Sequence, residues 1–562
     1  MCGIYACIGD NAYEKVFKGL KLLQYRGYDS CGIAYFDDGF NINKTVGTLE
    51  KLKKVETKSK LAFGHTRWAT NGIVNETNAH PHISFDKTLT IVHNGIIKNS
   101  EEIKQSLINQ GVNFYSETDT EVIVNYLANK SKTHGIENAI KSMYTDLKGS
   151  FSLIIGTNKG VLYLVKKFSP LNLLSADDGN IYISSDISSL EDGMLYSLKD
   201  YDIIKIEDNK ISGLFETNLE YTKHSNKLKE LNLKEYKYYM EKEIYETPNA
   251  IKNTYFSIAD NDVIDVIKNY EEITLIGCGT AYHSCLIGEY LLKRVTNKRI
   301  ETYLASNYDI KSKINDKHLH IIVSQSGETA DCIKVAEQIN LFNGKLLVIT
   351  NENKSTIAKM ADFHIFTNAE KEIAVASTKT YCCQVFVFAY ICQKLKNENY
   401  SIDIDNFVCH LQNYIINVDV SRVAEQLKNI DKLILVGRDI DYLTLLEASL
   451  KIREIDYIYT LPMYSGELKH GTLSLIDENS FVLTLNTETG SSKLQNTINE
   501  IASRKGRVID MSKFMCSITD NSYSAIYAII PFQLLSYQIA VLNGRNPDMP
   551  RNLAKSVTVE WC

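Results

Sequence analysis

Four times between residues 271 and 495 the chain repeats one pattern: an apolar run, a turn rich in glycine, serine or asparagine, and then helical periodicity. The segments are EEITLIGCGTAYHS from Glu271, HLHIIVSQSGETADCI from His318, DKLILVGRDIDYLTLLEASL from Asp431 and NSFVLTLNTETGSSKLQ from Asn479. Short apolar runs that alternate with helices predict parallel strands, because parallel neighbours need a crossover long enough to return to the same end of the sheet. The second pair of segments follows the same order as the first. The pattern therefore predicts a duplicated, doubly wound α/β body, split near residue 405, with ligand crevices beyond the carboxyl ends of its strands.

Before residue 235 the grammar differs. Short runs such as LAFGHTRW, TLTIVHNG, FSLIIG and NIYISS are separated by glycine and asparagine turns, which reads as strand-rich with a few helices, one ending at Leu23 and one over Thr120 to Asn129. From Tyr221 to Lys242 the chain is charged, dotted with tyrosine and without β-runs, as a connector leading into a helix would be. A chain of 562 residues exceeds what one core organises. The expected division is 1–235, 236–405, 406–545 and a tail over 546–562, a multidomain mixture of α/β and α+β.

Composition narrows the function. The formal charge is only -6 and no basic block occurs, which argues against a nucleic-acid or membrane partner and for small-molecule substrates. No run of eighteen apolar residues and no cleavable leader is read in the sequence, so a cytoplasmic location is expected. Twelve cysteines are scattered without CxxC or zinc-type spacing. Neither a disulfide framework, a metal nor a cofactor is expected from them.

Cys2 follows the initiator. Removal of Met1 would expose an α-amine beside the thiol, and an amine of pKa roughly 7.7 to 8.0 can take a proton from a thiol of roughly 8.5 without a separate histidine. Read alone, a cysteine at position 2 is also a coincidence. Arg67, read alone, is equally a salt-bridge arginine, Trp68 a core residue and Asp119 a helix N-cap.

CGI at Cys2, LQYRGYDSCGIA at Leu23, GHTRWATNG at Gly64, HNGII at His93 and SETDTEV at Ser116 together resemble the N-terminal-nucleophile glutamine amidotransferases across the first 235 residues. The resemblance implies an αββα sandwich with Cys2 as nucleophile and Asn94 and Gly95 as oxyanion donors. It also implies that Arg67 and Asp119 clamp the α-carboxylate and α-ammonium of glutamine, that Trp68 and Thr70 line the site, and that the loop at Arg26 and Tyr28 closes over it. Asn71 stands where that family commonly has histidine.

In the second half, SQSGETAD at Ser324, GCGTAYHS and VASTKT resemble the duplicated sugar isomerase family over 240–545, implying two αβα subdomains. Ser324, Gln325, Ser326 and Thr329 would hold a phosphate at a helix N-terminus, and Thr280, Val375, Ala376 and Ser377 would line the sugar. Ala281 replaces a serine common in the family. Lys451 and Glu454 share a helix face at a spacing of three, which by spacing alone also fits a surface ion pair. The resemblance makes Glu454 the base, with Lys451 beside it, His470 the ring-opening group supplied by a neighbouring subunit of a homodimer, and Lys555 a Schiff-base amine in what composition alone reads as a frayed tail. The two halves together imply transfer of ammonia from L-glutamine to fructose 6-phosphate, giving glucosamine 6-phosphate, the first step of hexosamine synthesis. Trp561 and Cys562 extend past the usual terminal glutamate.

Overall fold

A computed structural model describes residues 2–69, 71–225, 233, 235–259, 262–310, 315–487, 492–518 and 520–555. The chain divides into two compact units, Met1–Asn232 with Ala554–Cys562, and Leu233–Leu553.

In the first unit, side-chain alternation along the strands builds four layers. Within the strand Gly3–Ile8, Ile4, Ala6 and Ile8 enter a core shared by two sheets, while Tyr5 and Cys7 turn outward against the helix Ala12–Leu23. The same strand sits between Leu61–Arg67 and Ile181–Ser184 in an eight-stranded antiparallel sheet. The facing six-stranded sheet pairs Leu89–Ile97 with Gly149–Thr157. There Val92 and Ile154 point into the shared core, and Ile91, Leu153 and Ile155 pack under the helices Asp119–His134 and Ile136–Asp146. The order is helix, sheet, sheet, helix.

Three local expectations change. The helix expected from Thr120 runs Asp119–His134, and its N-cap is Thr118, whose side chain accepts from Glu121 N–H. Asp119 is therefore the first helical residue and its carboxylate is left for other partners. The connector contains a short strand, Thr222–His224, paired with Gly193–Ser197, before the helix Tyr239–Ile258 begins.

The second unit holds two parallel sheets of like topology. In space, the first runs Arg299–Leu304, Glu272–Gly277, His318–Ser324, Lys345–Thr350, Phe363–Phe366; the second runs Tyr459–Tyr464, Lys432–Gly437, Phe481–Thr484, Arg507–Asp510. In each, the first strand of the half lies between the second and the third, which places a switch point beside it. One continuous apolar core joins the halves, centred on the helix Lys379–Lys396, which is buried from Lys379 through Cys392. The helix Ser524–Leu542 is apolar enough to cross a membrane, with a mean hydropathy of 1.7 over its most apolar eighteen residues, but 78% of those are buried within the protein. Within the protein Gln533 Nε2 donates to Thr378 O at 3.3 Å, and Ser536 donates to Asp456 at 2.7 Å.

The start of the tail is anchored. Asp548 accepts from the backbone N–H groups of Tyr239 at 2.9 Å and Met240 at 2.7 Å, capping a helix more than three hundred residues away, and its carbonyl accepts from Val375. Carboxylates favour helix N-termini, where N–H groups lack intrahelical partners.

Candidate active sites

Cys2 immediately precedes the strand Gly3–Ile8 of the first unit, so its thiol projects at the strand end. The N–H of Trp68 donates to Cys2 Sγ at 3.3 Å. Burial pushes the thiol up, while the N-terminal ammonium, the Trp68 N–H and Arg67 pull it back. Cys2, Arg67, Trp68, Asn71, His93, Asn94, Gly95 and Asp119 line one cleft.

Asn94 reaches Cys2 by a hydrogen bond from Nδ2 to the Cys2 carbonyl at 3.0 Å. Its orientation follows from His65, whose Nε2 lies 3.1 Å from Asn94 Oδ1 and 3.0 Å from the His93 carbonyl. Both partners are acceptors, so Nε2 carries the proton and the amide must turn Nδ2 toward Cys2. Gly95 has φ +138°, and a Cβ there would meet the Ser150 carbonyl at 2.0 Å. Only glycine supplies this backbone without strain.

Arg67 is buried, donates to the Asn71 and Gly72 carbonyls, and keeps Nη1 buried without a hydrogen-bond partner. A guanidinium so placed is no surface ion pair and has a donor free to meet a carboxylate. Burial lowers its pKa, and Cys2, Asp29, Asp119 and Glu117 oppose the shift. Asp119 accepts from Ile97 N–H at 2.9 Å on one oxygen and faces His93 Nδ1 at 3.8 Å on the other.

The second constellation gathers at the strand ends of the second unit. Gly277 ends one strand and Thr280 opens the helix Thr280–Lys293; on the adjacent strand Ser324 leads through Gln325 and Ser326 to Thr329, the N-cap of the helix Ala330–Leu341. Both turns flank the switch point. Ser324 Oγ and Thr329 Oγ1 are 3.1 Å apart, and Gly327 N–H donates to Ser324 at 3.1 Å. Gly327 has φ +60°, and a Cβ would lie 2.1 Å from Ser355 Oγ. The result is a ring of hydroxyls and N–H groups at a helix N-terminus, suited to a phosphate.

Beside it lies a buried ionic network. Lys451 Nζ contacts Glu447 at 3.3 Å, Glu454 at 2.9 Å and Thr280 Oγ1 at 3.1 Å, with its side chain only 1% exposed. Glu447 is fully buried and also meets Thr280 at 3.0 Å and His283 Nδ1 at 2.7 Å. Against the desolvation that would favour neutral forms, the two glutamates push the Lys451 ammonium up, and Lys451, His283 and Thr280 hold Glu447 down. Lys451 and Glu454 are thus no surface pair. Thr280 and His283 belong to one half of the duplicated unit and the three charged residues to the other, so the network links both halves.

The comparisons with known proteins follow this division. The glutamine amidotransferase domain model matches residues 65–192, and the SIS domain model matches 267–392 and 426–529. Glutamine–fructose-6-phosphate aminotransferase (isomerizing) of Pyrococcus horikoshii is 35% identical over 604 residues, covering 100% of both chains. Its namesake in Caldanaerobacter subterraneus is 33% identical over 610 residues with the same coverage. The chain belongs to the glutamine–fructose-6-phosphate aminotransferase (isomerizing) family. Among solved structures, the C-terminal domain of glucosamine-fructose-6-phosphate aminotransferase from Francisella tularensis is 28% identical with a TM-score of 0.50, covering 56% of this chain and 99% of that one. Glucosamine-6-phosphate deaminase from Thermotoga maritima shares the fold at 22% identity and TM-score 0.50, covering 57% of this chain and 100% of that one. The αββα sandwich and the two sugar isomerase subdomains are the architecture this family membership calls for.

Within this aminotransferase-family chain the predicted residues sort by place. Cys2, Arg67, Trp68, Asn94, Gly95 and Asp119 share the first cleft. Thr280, Lys451 and Glu454 share the buried network, and Ser324, Gln325, Ser326 and Thr329 form the helix-terminal ring. Val375 and Ala376 are buried, and Ser377 Oγ donates to Glu372 at 2.7 Å. His470 is exposed in the turns after Tyr459–Tyr464. Lys555 groups with the first unit. Thr70, Trp561 and Cys562 lie outside the described residues. Asn71 is exposed and engages Arg67 through its carbonyl, a contact that does not depend on its side chain. Ala281 packs into the core. Arg26 is buried and held by the Ser185 carbonyl at 3.0 Å.

Sequence reasoning passed over three residues. His65 orients Asn94, Glu447 holds Lys451, and Glu372 shapes the VASTKT turn by accepting from Thr378 N–H at 2.9 Å and Thr380 Oγ1 at 2.7 Å. Position gave one signal: Glu447 stands four residues before Lys451 on the same helix face.

Proposed function

We propose that the chain converts L-glutamine and fructose 6-phosphate into L-glutamate and glucosamine 6-phosphate, working in the cytoplasm as a homodimer. The observation that carries the reading is the cleft in which the Cys2 thiol, the oriented Asn94 amide and the unpartnered Arg67 Nη1 converge, in a chain whose whole length follows the aminotransferase relatives.

In the first unit, Arg67 pairs with the glutamine α-carboxylate and Asp119 with its α-ammonium. The Cys2 sulfur, its proton passed to the α-amine exposed by loss of Met1, attacks the side-chain carboxamide. Asn94 Nδ2 and Gly95 N–H hold the oxyanion. The C–N bond breaks with return of the proton to nitrogen, ammonia leaves, and water hydrolyses the thioester to glutamate. Trp68 borders this cleft, and Thr70, two residues on in the sequence, is assigned to glutamine binding with it.

In the second unit, the ring at Ser324, Gln325, Ser326 and Thr329 holds the phosphate, while Thr280, Val375, Ala376 and Ser377 line the sugar. His470 of a second subunit moves the proton that opens the ring; its exposure supports a role at a subunit contact. The neutral Lys555 amine condenses with the C2 carbonyl and releases water. Ammonia passed internally then displaces Lys555, leaving an imine at C2. Glu454, beside the Lys451 ammonium, takes a proton from C1 and returns one to C2, so the imine becomes the C2 amine and C1 the aldehyde. The purified protein, given both substrates, is expected to form glutamate and glucosamine 6-phosphate in equal amounts. Glutamate without amino sugar would limit the chain to a glutaminase.

A further inference from the structure

Two cysteines stand across the switch point of the first parallel sheet. Cys278 lies in the turn Gly277–Thr280, half-buried, and Cys332 is the third residue of the helix Ala330–Leu341, fully buried. Their sulfurs are 3.9 Å apart. We propose that Cys278 and Cys332 are a peroxide-oxidised thiol pair whose disulfide silences the sugar-phosphate site. The proposal rests on the reading of that site given above.

The geometry supports it in three ways. A disulfide needs sulfurs about 2.05 Å apart, so closure asks roughly 2 Å of combined movement from two side chains already in contact. Cys278 stands just before Thr280, at the positive end of a helix where thiolate is favoured, and Cys332 lies in the first turn of its own helix, within reach. The hydrogen bond from Cys332 holds the Cys278 thiol below its ordinary range, with a further backbone contact at Ala305, while Cys332 is pushed up by that bond and by burial. Cys278 is thus the attacking sulfur and the one nearer solvent.

Its thiolate attacks hydrogen peroxide, the O–O bond breaks, and one oxygen stays as sulfenic acid while the other leaves as water. Cys332 then loses its proton, its sulfur displaces the sulfenic oxygen, and a second water departs. Two electrons pass from the sulfurs to one peroxide. The new bond ties the sugar turn to the helix that the phosphate ring caps. Thr280, two residues from Cys278, and Thr329, three from Cys332, move with it, and displacements near 1 Å cost about 10²-fold in well-aligned sites.

The test uses the full-length protein without glutamine, so Cys2 chemistry does not enter. Hydrogen peroxide is added, fructose 6-phosphate to glucose 6-phosphate isomerisation is followed, and alkylated peptides are mapped by mass spectrometry. Expected are a Cys278–Cys332 linked peptide, a rate falling tenfold or more in step with the link, and recovery in dithiothreitol. Cys332→Ala should isomerise near the parental rate when reduced and withstand the same peroxide. Cys278 recovered unlinked, or complete linkage with an unchanged rate, overturns the proposal. A reduced parental protein that does not isomerise defeats the reading of the site, while the mass spectrum alone still decides whether the bond forms.

Discussion

Which end of the Asn94 amide faces Cys2 is decided by His65, and the consequence is measurable. Asn94→Ala removes Nδ2 and should lower the rate constant of glutamate release by about 10²- to 10³-fold. KM for glutamine should change little, because in the proposed binding mode Arg67 and Asp119 make the ground-state contacts; steady-state kinetics with glutamine alone checks this. Arg67→Lys should do the opposite and raise KM, since an ammonium cannot make the paired contact of a guanidinium. Cys2, Asn94 and Arg67 were legible because each sits in a short motif of chemistry-bearing residues. His65 was not. It sits inside the same motif, but its partners are 28 and 29 residues away, and only the pairing of strands brings them together.

At the scale of elements, burial separates what spacing could not. Lys451 and Glu454 on the helix Asp439–Asp456 have the spacing of an exposed ion pair, yet the helix is packed on both sides. Glu447 is the clearest case, since its partners Thr280 and His283 lie more than 160 residues earlier. Glu447→Gln leaves Lys451 with less compensation and should destabilise the protein by roughly 3 kcal/mol, read as a lower urea midpoint at unchanged slope. Isomerisation should fall with it, since the Lys451 ammonium beside Glu454 loses its anchor. The strands were legible as apolar runs and the capping helices from their turns. The role of Asp548 was not: a carboxylate in an irregular tail looks solvated until the helix it caps is found.

Across the molecule, the first unit carries an acid-sensitive centre. His65, His80, His82 and His93 are all buried, and Thr118 and Thr120 link three of them. Burial lowers every one, His65 to about 3. His65 stays neutral when folded but protonates near pH 6.5 when unfolded, so its contribution is complete above pH 6.5 and is lost as pH falls toward about 3, and the other three act in the same direction. The loss from His65 alone reaches about 2 kcal/mol by pH 5. Calorimetry between pH 7.5 and 5 should show the transition of the first unit falling steeply, and a flat response would contradict the neutral cluster. The change of periodicity near residue 235 is written in the sequence, whereas the single core across the duplicated halves is not, because the helix Lys379–Lys396 shows no polar face to mark a boundary. The joining of the two chemistries is tested most directly by isotope transfer. Glutamine labelled with ¹⁵N in the amide is supplied with fructose 6-phosphate in excess unlabelled ammonium. The expected product is glucosamine 6-phosphate carrying ¹⁵N, formed in step with glutamate and lost in Cys2→Ala; unlabelled amino sugar, or none, would contradict the central claim.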